Sequence, residues 1–144
     1  MSSNILRIFL PAVFLFLSWT ACSDPFSEED EKHTVLTLIE GSMPQGSYIK
    51  FWNGKNKQDQ YVPAGTYWVQ LYTTEFTFQL PMTVFEGGTG HSNYAEDFYE
   101  GNPAATLTLL ESVEPDTFFV EDGTNIHFTL GNGTSLRLTI RDKE

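Results

Sequence analysis

The chain is poor in positive charge: eight lysines and arginines stand against 19 acidic residues, a formal net charge of −11 at pH 7. That balance argues against nucleic acid as a partner, because phosphate binding needs clustered Lys and Arg. Cysteine occurs once, at position 22, so no disulfide can form within the chain. The three histidines, His33, His91 and His127, are far apart and lack the short spacings of zinc ligands. Helical periodicity is nearly absent. No Gly-x-Ser-x-Gly elbow occurs, and Gly87-Gly88-Thr89-Gly90 lacks the lysine of a phosphate-binding loop. The expectation is a protein with no catalytic activity, no metal and no cofactor.

What is present begins at the N-terminus. Arg7 is followed by the apolar run Ile8 to Leu17 and then by small residues ending in Thr20-Ala21-Cys22. The run falls short of the ~20 residues a membrane-spanning helix needs, and it suits the apolar region of a signal peptide. Trp19-Thr20-Ala21-Cys22 resembles the bacterial lipobox, with Trp19 where leucine is usual. The resemblance implies cleavage before Cys22 and lipid on its sulfur. A lone thiol in a secreted protein must pair between chains, stay reactive or be modified, and lipidation uses it without a partner.

The acidic stretch Ser23 to Glu31 is poor in apolar residues and reads as a disordered tether. It also resembles the acidic signals that follow the lipidated cysteine in surface-exported lipoproteins of the Bacteroidota. The expected organisation is a signal peptide over 1–21, a tether over 22–32 and one β domain over 33–144. The expected location is the bacterial outer membrane, facing the periplasm or the cell surface, with the membrane itself a partner through the anchor.

In the domain, side chains alternate with the period of two that a half-buried strand requires. Ile126, Phe128 and Leu130 share one face; after Gly131-Asn132-Gly133, Leu136, Leu138 and Ile140 share another. Asp122-Gly123 marks a further turn after Phe118-Phe119-Val120. Val35 to Ile39, Tyr48 to Trp52, Thr66 to Tyr72, Phe76 to Val84 and Thr106 to Leu110 read as strands too. In the fourth of these, Phe76, Phe78, Leu80, Met82 and Val84 share a face, and Pro81 implies an edge strand or a bulge. About eight antiparallel strands point to an all-β sandwich, with a small barrel as the alternative. Residues 86–105 lack strand character, and Asn93 as N-cap with Glu96, Tyr94 and Phe98 predicts a short helix over 93–100.

The aromatics carry the functional hint. If Ile49 and Phe51 enter the core, Tyr48, Lys50 and Trp52 face outward; if Tyr67, Val69 and Leu71 enter it, Trp68, Gln70 and Tyr72 face outward. Pairing of these two strands would make a platform of four aromatics with Lys50 and Gln70, which stacks sugar rings and bonds their hydroxyls. Lys55 and Lys57 in the intervening loop favour an acidic glycan. Ordinary cross-strand packing, worth roughly 0.2–1 kcal/mol per pair, explains the same residues without a ligand. The carboxylates Glu96, Asp97, Glu100, Glu114, Asp116, Glu121 and Asp122 lack the spacing of a calcium loop.

Three functions stay open: an envelope module that binds a glycan or protein, an accessory protein of glycan uptake, and a subunit of a surface fibre. The long 86–105 loop is a second place for a ligand. Because each buried acyl CH₂ contributes about 0.8 kcal/mol, Cys22→Ser is expected to move the mature protein from the detergent phase to the aqueous phase in phase partitioning.

Overall fold

The alternation becomes nine strands among the described residues: β1 (Thr34–Met43), β2 (Gly46–Trp52), β3 (Gly65–Thr73), β4 (Thr77–Phe85), β5 (Phe98–Glu100), β6 (Leu109–Glu114), β7 (Thr117–Phe119), β8 (Thr124–Leu130) and β9 (Thr134–Arg141). The computed structural model describes residues 32–102, 105 and 107–143. Cys22, the signal segment and the acidic stretch to Glu31 lie outside these. So does Thr106 of the expected fifth strand, and the strand observed there runs from Leu109.

Two sheets face each other, ordered β1-β9-β3-β4-β7 and β5-β2-β8-β6. Neither closes into a barrel, so the sandwich expectation holds. All pairings are antiparallel except β4 with β7, which is parallel over Thr83–Phe85. The core is a single cluster drawn from both inner faces, with Val69, Leu71, Ile126, Leu130, Leu138 and Ile140 fully buried. The inward residues expected on β3, β8 and β9 are the ones observed.

On β4 the inward face opens gradually. Met82 and Val84 are buried, Phe78 and Leu80 are half-buried, and Phe76, just before the strand, is exposed. Pro81 fits its edge. The Thr83 N–H is turned toward β7, donating to the Asp116 carbonyl at 2.8 Å. Two residues upstream, the nitrogen of Pro81 is turned to the same side, where among the described residues no strand pairs and no donor is needed.

The expected helix over 93–100 does not form; residues 91–97 are irregular and Phe98–Glu100 is strand β5. Its capping signal was answered by tertiary bonds instead. Asn93 donates through its backbone N–H to the Asp122 carbonyl at 2.8 Å and through Nδ2 to the Gly123 carbonyl at 2.9 Å. Asn125 donates to the Asn93 carbonyl at 2.8 Å and accepts from the Ala95 N–H at 3.2 Å. The buried Asp122 carboxylate accepts from the Thr89 N–H at 3.1 Å and its hydroxyl at 2.9 Å. The loop is thus fixed to the β7–β8 turn. That turn needs Gly123, at φ 73°, since a Cβ there would strike the Phe51 ring and the Trp52 carbonyl.

Trp52 has no exposed surface and meets Tyr67 and Phe118 edge-on, at 6.2 and 6.0 Å between centroids. Its Nε1 donates to the Lys55 carbonyl at 2.9 Å. Trp52→Ala is expected to destabilise the domain by about 3–5 kcal/mol, read as a shifted urea midpoint. Trp68→Ala, on the outer face of β3, should cost less than half of that.

Candidate functional site

The structure does not assemble the expected platform. β2 pairs with β8 and β5 in one sheet, whereas β3 pairs with β4 and β9 in the other. The phase of β2 is also reversed. Tyr48 is 5% exposed and Trp52 is 0% exposed, while Ile49 and Phe51 are half-buried on the outer side. The cause is the register with β8, which sets Tyr48, Lys50 and Trp52 opposite Phe128, Ile126 and Thr124, all of them buried.

Both inward aromatics keep a partner for their polar atom, as buried Tyr and Trp generally do. The Tyr48 hydroxyl donates to the Pro44 carbonyl, and Trp52 uses Lys55 as described. Phe51 on the outer side is covered by Tyr94 of the long loop, edge-on at 5.1 Å.

Trp68, Gln70 and Tyr72 do lie together on the outer face of β3, each partly buried. Trp68 stands between Pro81 and Arg141, Gln70 between Gln79 and Thr139, and Tyr72 between Thr77 and Arg137. Arg137 also holds Glu40 of β1 at 2.7 Å. Arg141 and Thr139 are buried. This row is a packed cross-strand ladder.

The remaining two expected residues, Tyr48 and Lys50, meet in a different place. A cleft of about 270 Å³ opens where the two sheets part between β1 and β5. Ile39 and Met43 of β1 form one wall; Phe98, Tyr99 and Phe128 form much of the other. The three rings Phe128, Tyr48 and Tyr99 stack in sequence from the core outward, with centroids 4.9 and 4.8 Å apart. Phe128 is buried and Tyr99 is 49% exposed. The Tyr99 hydroxyl donates to the Gln45 carbonyl at 3.1 Å.

Lys50 points into the inner layer by its register but lies at the sheet margin, since β5 pairs β2 only from Ser47 to Ile49. It lines the cleft together with Ile39, Phe98 and Tyr99, and its ammonium reaches out to Asp97, with Nζ–Oδ2 at 2.6 Å. The same carboxylate accepts the Phe51 N–H at 3.3 Å, which extends the ladder where β5 has ended. The cleft therefore joins an apolar, ring-lined floor to one charged pair at its rim.

Asp97, Phe98 and Tyr99 fall within the 86–105 stretch expected as a second place for a ligand, but they were not singled out individually because that stretch read as helical. The adjacent aromatics Phe98-Tyr99 after an acidic residue were the available strand signal. Among the described residues no group of three His, Cys, Asp or Glu side chains converges as a metal-binding set. The chain matches no family model, no curated protein and no solved structure.

Burial, and then the neighbouring Tyr99, raise the Tyr48 pKa above the usual 10.0. Burial, and then Asp142, do the same for Tyr67. A raised folded-state value favours the neutral hydroxyl, so this contribution to stability is intact below about pH 10 and is lost as pH rises through the folded values. In an alkaline absorbance titration, Tyr48 and Tyr67 are expected to ionise above the usual tyrosine value and together with unfolding.

Proposed function

We propose that this chain is a non-catalytic binding module of the bacterial cell envelope, anchored through lipid on Cys22, that takes a ring-bearing group of a glycan in the β1–β5 cleft. The observation that carries the reading is the outward stack Phe128–Tyr48–Tyr99 beside the Lys50–Asp97 pair. A sugar ring presents C–H bonds to an aromatic face and hydroxyls to charged groups, and the cleft offers both within one concavity.

Size limits the ligand. A volume of about 270 Å³ lies just below the ~300–1,000 Å³ usual for small-molecule pockets, so it fits one ring and not an extended oligomer. The charge at the rim supports binding over hydrolysis. The cleft is lined by one carboxylate, Asp97, already engaged by Lys50, whereas a glycosidase works with two across the scissile bond. The acidic stretch 23–31 and the lipobox-like segment ending at Cys22 support a membrane-surface location, where a weak site would gain from being held near its polymer.

The test is titration of soluble oligosaccharides into the full chain in detergent, followed by intrinsic fluorescence and by amide chemical shifts. Tyr99→Ala and Lys50→Met are each expected to weaken the bound sugar by roughly tenfold while Tm stays within a few degrees. Binding that survives both changes, or that is lost only in Trp68→Ala, would sink this reading, as would a panel in which nothing binds.

A further inference from the structure

The opposite side of the sandwich carries a second opening of different chemistry. β7 pairs with β4 only at Thr83–Phe85. The preceding stretch of β4, from Thr77 to Pro81, pairs with β3 on one side and, among the described residues, with no strand on the other. Because Thr83 turns its N–H to the β7 side, alternation turns the N–H and carbonyl groups of Thr77 and Gln79, and the carbonyl of Pro81, to that same open side. Among the described residues no hydrogen bond engages these groups.

Beside this edge lies a groove of about 640 Å³, lined by Glu75, Phe76, Phe78, Leu107, Leu109 and the turn at Gly131-Asn132. Phe76 and Phe78 pack together at 5.9 Å between ring centroids. Phe76, Leu107 and Leu109 are exposed, Leu107 by 72%. A contiguous apolar patch next to an open edge is uncommon on a protein that stays alone.

Edge strands are ordinarily protected by charged side chains. β4, TFQLPMTVF, has none along its nine residues. Its one guard is Pro81, which ends the open stretch and limits any added strand to about five residues of pairing.

We propose that the Thr77–Pro81 edge accepts an extended peptide strand from a partner protein, with apolar residues at alternate positions and Lys or Arg between them. The added strand would lie in line with β7. Its ladder bonds would go to Thr77, Gln79 and the Pro81 carbonyl, and its inward side chains would cover Phe78 and Leu80, where the core is only half closed. The basic positions follow from charge: Glu75 lines the groove, Asp116 is exposed at the corner before β7, and no lysine or arginine lines it. A second copy of the chain is disfavoured on the same ground, since each copy carries a net charge of −11.

The probe is a fluorescein-labelled seven-residue peptide alternating lysine and valine, set against a peptide of the same composition with its lysines and valines in separate blocks. Binding to the full chain in detergent is read by anisotropy, and protection of the Thr77 and Gln79 amides by hydrogen exchange. The alternating peptide should bind on the order of tenfold more tightly than the blocked one and protect both amides. Gln79→Pro removes an edge donor and leaves the groove intact; Leu109→Lys changes the far wall and leaves the edge intact. Each should weaken the alternating peptide by about tenfold. The proposal is overturned if the two peptides bind alike, if neither binds, or if both variants bind as the parent does. It is equally overturned if the parent dimerises with rising concentration and Gln79→Pro abolishes the dimer.

Discussion

Seven residues of β2 pair with seven of β8, and this register decides which side chains of β2 enter the core. β8 is buried along one face through Ile126, Phe128 and Leu130, so whatever stands opposite them must be inward as well. Tyr48 and Trp52 can occupy those places because each carries a large apolar ring with one polar atom near a free carbonyl at the sheet's end. Lys50 can occupy the place between them only because it sits at the margin, where its ammonium escapes to Asp97. A one-residue slip would put Ile49 and Phe51 inside and turn both rings out to solvent. The cleft, the ring stack and the Lys50–Asp97 pair all follow from that one register.

The long segment between β4 and β5 depends on the same pairing. Phe51, turned outward by the register, is the surface on which Tyr94 rests. Asn125, opposite Phe51 on β8, holds the backbone of Asn93 and Ala95, while Asp122 holds Thr89. A stretch without regular structure is thereby tied down by three side chains at its base. It delivers Asp97, Phe98 and Tyr99 to the rim of the cleft, which local propensity alone would have left in a helix.

Much of the fold was legible because burial on one face imposes a pattern that survives any tertiary context. β3, β8 and β9 each show apolar residues every second position, and their inward sets were readable as they stand. β2 was not, since Tyr48-Ile49-Lys50-Phe51-Trp52 is apolar in both phases except at Lys50, and the charge misdirected the choice. Lysine reads as an outward marker only when it lies away from a sheet's margin, and the margin is a property of β5, a strand concealed inside an apparent helix. Pairing of β2 with β3 was suggested by their adjacency, but the chain changes sheets through the 53–64 connection. Gly54 there has φ 78° and lies against Val120, a contact between segments far apart in sequence. Of the six expected platform residues, Tyr48 and Lys50 thus share a site with residues that pattern alone did not single out.

Both openings in this sandwich have one origin. β5 and β7 are edge strands of three residues each, laid against β2 of seven and β4 of nine. Short edges protect a sheet from indiscriminate pairing, yet each leaves part of its longer neighbour uncovered. Beyond β5 the uncovered stretch is closed by a side chain, as Asp97 takes the Phe51 N–H, and the remaining space is a cleft of about 270 Å³. Beside β4 no side chain plays that part for Thr77 and Gln79 among the described residues, and the remaining space is a groove along open backbone. The character of each opening therefore depends on whether the unpaired ladder is capped from within the chain: capped, it leaves a small ring-lined cleft; uncapped, it keeps directional bonds that another strand could use in full.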